Sequence, residues 1–161
     1  MSLIWKIRGL VQHFDYDKYW KMRNYIQNDG SNKFKLYRYA YKIKKMDAFA
    51  NASTGIKIGE GSAFFETPPR LPHGLYGIIV APGSYIGKNV RICHQVTIGT
   101  DFKSLKNVPT IGDNVEIYPG AKIIGKVRIG NNAKIGPNTV IYTDVPDDAV
   151  VVVGEQRIVI K

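Results

Sequence analysis

Isoleucine recurs every six residues from position 111 onward, at Ile111, Ile117, Ile123, Ile129, Ile135 and Ile141. Four places after each lies a small or β-branched residue: Val115, Ala121, Val127, Ala133, Thr139 and Val145. The same phase holds earlier in Val80, Ile86, Ile92 and Ile98, and a weaker piece runs through Ala52, Ile58-Gly59, Ser62 and Phe64. A period of six matches neither an α-helix nor an isolated strand. It fits a short strand plus a turn, stacked so that each isoleucine lies above a predecessor. That is a parallel β-helix, with three hexads making a coil of about 18 residues. The expected fold class is therefore mainly β, with about three coils over 80–145 and roughly one more near 52–64. Gly87, Gly99, Gly112, Gly130 and Gly136 each follow a column residue and are expected to supply positive φ at the turns.

Two insertions break the period. The gap from Ile98 to Ile111 is 13, so seven extra residues lie in an extended loop at 100–109, TDFKSLKNVP. Between Phe64 and Val80 sits the Pro- and Gly-rich stretch ETPPRLPHGLYGII. Insertions in a solenoid project from its surface and are natural carriers of function. The open ends need covers. The chain offers an N-terminal region and a C-terminal strand over 149–160.

The first 47 residues differ sharply from the rest. They hold 11 Lys/Arg against 4 Asp/Glu, 10 of the 18 aromatics and no Pro. The composition step places a helical region at 1–47 and the β-helix domain, with its C-terminal tail, at 48–161. Ile4, Ile7, Val11 and Phe14 mark a first helix. Asp17 is the expected cap of a second, carrying Tyr19, Met22 and Ile26 and ending at Asp29-Gly30. Ser31 or Asn32 starts a third, with either Phe34, Tyr37 and Tyr41 or Leu36, Tyr39 and Ile43 facing inward.

The net charge of +10 points to an anionic partner, and +7 of it lies in the helical region. Lys42-Ile43-Lys44-Lys45 reads as the solvated face of an amphipathic helix. No helix-turn-helix, zinc-finger or RNA-binding sheet signature accompanies it, so no nucleic-acid partner is expected. Peripheral membrane contact through the basic helices is. A single cysteine, Cys93, excludes an intrachain disulfide and any multi-cysteine metal cage. No run of about 18 apolar residues exists for a transmembrane helix. The N-terminus, without a long apolar core or a small-residue cleavage site, reads as mature chain.

The hexads YIGKNV, TIGDNV, KIIGKV and RIGNNAKIGPNTV resemble those of the hexapeptide-repeat acyltransferases. LPHGLYGIIV, ICHQVTIG and the ending VPDDAVVVVGEQRIV resemble the serine acetyltransferase branch. They look closer still to the related O-acetyltransferases of bacterial surface-polysaccharide loci. The likeness covers residues 50–158. It implies a left-handed coil, a homotrimer with active sites between neighbouring subunits, acetyl-CoA as cosubstrate and a bacterial cytoplasmic location. The implied reaction is acetyl transfer to a hydroxyl of a sugar or glycan precursor. Two alternatives stand beside it: serine O-acetylation feeding cysteine synthesis, and a non-catalytic hexapeptide-repeat binding module. A hexapeptide carbonic anhydrase needs three His around a metal. Here only His73 and His94 lie in the coils, so no metal is expected.

By the resemblance, His73 in Pro72-His73-Gly74 is the catalytic base. A positioned imidazole suits that task at neutral pH. The family's carboxylates that orient this His fall at Pro72 and Asn51, so the usual His–Asp dyad is missing. Glu66 and a backbone carbonyl are the substitutes on offer. His94, 21 residues on and about one coil further, stands where serine acetyltransferases generally have Gln and is a second catalytic candidate. The family's amino-acid-holding Arg-His pair is replaced by Asn107-Val108, which argues for an acceptor other than serine. The cofactor track aligns with Gly99, Thr100, Pro119, Gly120, Ala121, Lys134 and Pro137. Pro119 and Pro137 have no N–H to donate. Lys122, Lys126, Arg128 and Lys134 lie on the last coils, as phosphate contacts or as ordinary solvated corners. Cys93 reads as a packing residue.

Overall fold

The computed structural model describes residues 14–57 and 61–154. Two helices, α1 (Tyr16–Asn28) and α2 (Lys33–Phe49), precede thirteen short strands. The helix expected around Ile4, Ile7 and Val11 lies outside the described residues. Helix α1 is capped by Asp15, whose carboxylate accepts the Lys18 N–H at 3.0 Å. The expected cap, Asp17, lies inside the first turn, where an acid still complements the helix dipole. Asn32 caps α2 in the same manner, accepting the Lys35 N–H. Of the two faces open to α2, the one with Leu36, Tyr39 and Ile43 turns inward; Ile43 is fully buried. Phe34, Tyr37 and Tyr41 face out.

The strands form three parallel sheets. The first contains β1 (Ser53–Thr54), β3 (Ile79–Val80), β6 (Thr97–Gly99), β9 (Lys122–Ile124) and β12 (Val140–Ile141). The second contains β2 (Phe64–Phe65), β4 (Tyr85–Ile86), β7 (Thr110–Ile111) and β10 (Arg128–Ile129). The third contains β5 (Arg91–Ile92), β8 (Glu116–Ile117), β11 (Lys134–Ile135) and β13 (Val150–Val151). Consecutive hexads therefore fall on consecutive sheets. Ile111 registers with Ile129, Ile117 with Ile135, and Ile123 with Ile141. Across the extended loop all three registers shift together: Ile86 pairs Ile111, Ile92 pairs Ile117 and Ile98 pairs Ile123. The result is a parallel β-helix of about four turns, its interior filled by isoleucines that are at most 1 % exposed from Ile86 to Ile135. In the weak first coil the phase differs by one from the sequence reading, since Phe65 rather than Phe64 points inward.

The glycine after each column isoleucine has another physical reason than the one expected. Gly87, Gly99, Gly112, Gly130 and Gly136 do not have positive φ; the left-handed residues of the coil turns include Asn89, Gln95, Asn114, Asn132, Asn138 and Asp148, with Gly77, Gly83, Gly120 and Gly125. Close approach of the next coil excludes a side chain at Gly87, Gly112, Gly130 and Gly136, whereas at Gly99 a Cβ would meet only ordinary contacts, 3.4 Å from Ile124 Cδ1. A Cβ on Gly87 would strike the Asp113 carboxylate, and one on Gly130 the Asp147 carboxylate. At Gly112 it would lie 2.7 Å from Asn131 Oδ1 and 2.9 Å from the Asn131 nitrogen. Those side chains brace the coils: Asp113 accepts the Lys88 N–H, Asn131 that of Asp113, and Asp147 that of Asn131. Gly112→Ala is therefore expected to cost about 1–3 kcal/mol, because the Gly130–Asn131 backbone of the next coil cannot give way as a flexible side chain would. Denaturant midpoints at constant slope measure it, with Gly154→Ala, where nothing lies within 4 Å, as the neutral control.

The helices close the N-terminal end. Gln27 bonds both the N–H and the C=O of Phe65 at 3.0 Å, acting as a missing neighbour for the edge strand β2. Asp47 accepts the Thr54 N–H at the edge of β1. Behind these caps lies a buried polar cluster. Tyr19 Oη donates to Asp47 at 2.6 Å and Thr54 Oγ1 to Asp47 at 3.0 Å. Arg23 donates to Thr54 Oγ1 and to the Ala63 carbonyl, each at 2.9 Å. The Arg23 guanidinium lies 4.5 Å from the Phe65 ring centre.

Candidate active site

Each coil turns from the third sheet into the first through a short corner, and these corners stack into one edge of the solenoid. Cys93-His94-Gln95 joins β5 to β6, Tyr118-Pro119-Gly120 joins β8 to β9, and Gly136-Pro137-Asn138 joins β11 to β12. Backbone bonds tie each corner to the one before: Gln95 N–H to the Tyr76 carbonyl, Gly120 N–H to His94, and Asn138 N–H to Pro119. The uppermost corner is 71–77. There Arg70 bridges Arg91, and buried Leu71 and Leu75 anchor a turn closed by the Gly74 N–H on the Leu71 carbonyl. Gly74 has φ +69°, a conformation suited to glycine. His73 stands exposed on that turn.

The spacing of 21 residues thus becomes vertical contact. His73 and His94 meet edge to face, ring centres 4.7 Å apart and planes at 86°. His94 is half-buried, and its Nδ1 is shut off from solvent without a hydrogen-bond partner. Among the described residues no carboxylate bonds either imidazole. Glu66, considered as the orienting acid, instead accepts the Tyr85 hydroxyl at 3.0 Å and pairs with Lys88 at 3.9 Å. That bond pushes the Tyr85 phenol up from its ordinary value. Asn51 lies on the same edge, in a left-handed turn after α2.

An open groove of about 470 Å³ runs beside the edge, lined by Asn51, Tyr76, Gln95, Gly120, Lys122 and Asn138 among others. Of the residues aligned with a cofactor track, Pro119, Gly120 and Pro137 share the histidine edge. Ala121 points into the core, fully buried, and Lys134 stands on the outer face of β11. Gly99 and Thr100 lie on the next edge, where the extended loop leaves β6. The Gly120 N–H is spent on the His94 carbonyl and that of Ala121 on Tyr118 at 3.3 Å. Lys122 Nζ is held at 2.8 Å by the carbonyls of Gln95 and Gly120, so it staples two coils rather than standing free for a phosphate. Burial pushes the Cys93 thiol up, and Glu116 adds to this against Arg91, which keeps the sulfur protonated and fits packing.

The extended loop is organised by Asp101, which accepts the N–H groups of Lys103 and Ser104. Asn107 donates to both its oxygens, at 3.2 and 3.0 Å. Asn107 is thereby committed to the loop itself. Phe102 and Leu105 protrude at the tip, 93 % and 81 % exposed. Sequence reasoning did not anticipate the Asp101–Asn107 clamp; an Asp six residues before an Asn within one insertion is the only trace of it. Among the described residues no three His, Cys, Asp or Glu come together as a metal-binding group.

Residues 109–143 match the family model for bacterial transferase hexapeptide (six repeats), which gives the coil its left hand. A serine acetyltransferase of Bacillus pumilus is 36 % identical over 134 residues, which are 80 % of this chain and 58 % of that one. The Helicobacter pylori serine acetyltransferase is 32 % identical over 126 residues, 77 % of this chain and 72 % of its own. The structure of Neisseria gonorrhoeae serine acetyltransferase in complex with serine superposes with a TM-score of 0.61 at 30 % identity, covering 83 % of this chain and 50 % of that one. This chain spans 58 % of the length of the Bacillus pumilus and Bacillus subtilis relatives. All these relatives carry the serine name, and none supports the resemblance to the polysaccharide sub-branch.

Proposed function

The chain belongs to the serine acetyltransferase family of hexapeptide-repeat transferases, and from that premise we propose that it is an acetyl-CoA-dependent O-acetyltransferase with His73 as general base. The observation that carries this reading is the exposed imidazole of His73, braced by His94 on a stacked corner that opens to solvent. His73 takes the proton from the acceptor hydroxyl as its oxygen attacks the thioester carbonyl. The tetrahedral oxyanion collapses, the C–S bond breaks, and the CoA thiolate leaves with the proton returned from the imidazolium. The ester and free CoA thiol are the products. The homotrimer and the cytoplasmic location implied by the family belong to the same proposal.

Serine is the acceptor favoured by the names of the relatives. A sugar or glycan hydroxyl is kept as the second reading on one observation. The position of the family's amino-acid-holding Arg is Asn107, locked onto Asp101, and the next is Val108, which has no polar group to offer. Without those partners the charged groups of a bound amino acid lose their water and gain no hydrogen bonds in return, which disfavours it relative to a neutral hydroxyl acceptor. Turnover compared between serine and a panel of sugars separates the two. A kcat/KM for serine above that of every sugar establishes serine; the reverse order establishes the glycan reading.

A further inference from the structure

We propose that the outer face of α2 docks the protein onto an anionic lipid surface. At 100° per residue, Phe34, Tyr37 and Tyr41 fall within an arc of about 60°. They are 78 %, 55 % and 69 % exposed, an unusual state for three large rings in one line. Lys33 and Lys44 flank the stripe on one side, and Arg38, Lys42 and Lys45 on the other; all but the half-buried Lys42 are exposed. The only acid of the helix, Asp47, is buried on the opposite side against Tyr19 and Thr54. Lys35 does not belong to this face, since it lies 4.1 Å from the Tyr25 ring centre, towards α1.

This arrangement is the physical signature of a helix lying in an interface. Aromatic rings enter the headgroup boundary while flanking cations meet the anionic headgroups. Charge selects the occupant. A second copy of the face would bring five cations against five, whereas an anionic bilayer complements all of them at once. The face is also convex, unlike the grooves that track a nucleic-acid strand. No described helix is long and apolar enough to cross a membrane, so the contact is one of lying on the surface. The inference does not depend on acetyl transfer.

Sedimentation of the full chain with vesicles tests it. Vesicles of phosphatidylcholine with about 30 % phosphatidylglycerol are compared with pure phosphatidylcholine, at low and high salt. Binding is expected to be at least about tenfold stronger to the anionic vesicles and to weaken with salt. Lys44→Glu/Lys45→Glu is expected to lower it by about tenfold or more. Phe34→Ser/Tyr37→Ser/Tyr41→Ser is expected to abolish the part that survives high salt. All these side chains are exposed, so unchanged helical circular dichroism certifies the variants. Equal binding to both vesicles, no binding, indifference to the charge reversal, or binding to polyuridylate in preference to vesicles overturns the proposal.

Discussion

Replacement of His73 by alanine is expected to lower kcat for acetyl transfer by about 10²–10⁴-fold, with acetyl-CoA affinity and thermal midpoint unchanged. The magnitude is that of removing a positioned general base. The unchanged stability follows from exposure: His73 packs no core, and the turn that carries it is held by Leu71, Leu75 and the Gly74 amide. His94 is expected to act differently. Its ring braces His73 edge to face, and it has no carboxylate partner of its own among the described residues. Such contacts are worth a modest restraint, so His94→Ala is expected to lower kcat only about two- to tenfold, with KM little changed. His94→Phe, which keeps an aromatic edge, is expected to recover most of that loss. Steady-state kinetics on the three variants checks the whole pattern. A His73→Ala protein with near-full rate removes the proposed mechanism. A His94→Phe protein as slow as His73→Ala makes His94 a proton carrier rather than a brace.

Asp47→Ala is the substitution expected to damage the fold most. The carboxylate accepts bonds from Tyr19 Oη and from both the N–H and Oγ1 of Thr54, and it is the acid facing buried Arg23 across Thr54. Removing it leaves a guanidinium 2 % exposed without a countercharge among the described residues. Uncompensated buried charges of this kind cost about 3–5 kcal/mol, enough to detach the helical cap from the first coil. Equilibrium denaturation followed by tryptophan fluorescence reports it, since Trp20 packs on Phe65 at the junction. Near wild-type stability for Asp47→Ala refutes the role given to the cluster. The same cluster has a pH signature. Burial, followed by the neighbouring Asp47 charge, pushes the Tyr19 phenol well above its ordinary value. Its folded form therefore favours the neutral phenol. The stabilisation is fully present below the ordinary tyrosine range near pH 10 and is lost as pH rises through the raised value. Tyr19→Phe is expected to remove that alkaline loss.

The coil was legible because its cause is periodic. One interior position per hexad must be filled, so isoleucine writes the register directly into the chain, and the seven-residue loop appears as a gap of 13. The meeting of His73 and His94 was legible for the same reason, since one coil separates them. What periodicity cannot reveal is contact between irregular elements. Tyr19, Arg23, Asp47 and Thr54 come from two helices and a strand at no fixed spacing, and their cluster emerges only when the cap docks. The role of the glycines departs from expectation because positive φ and close approach both select glycine. Only the geometry shows that Asn89, Asn114 and Asn132 take the left-handed turns while Gly87, Gly112 and Gly130 yield to the next coil. Asp15 displaced Asp17 as helix cap by a two-residue shift, an ordinary ambiguity where two acids stand close together.

Acceptor-dependent release of CoA thiol reports directly on acetyl transfer by His73. Purified protein is mixed with acetyl-CoA and, in turn, serine and a series of sugars, and thiol is counted against O-acetyl ester formed. One-to-one release is expected with at least one hydroxyl acceptor, slowed about 10²–10⁴-fold in His73→Ala. Acetyl-CoA that binds without acceptor-dependent release, or release unaffected by loss of His73, contradicts that expectation.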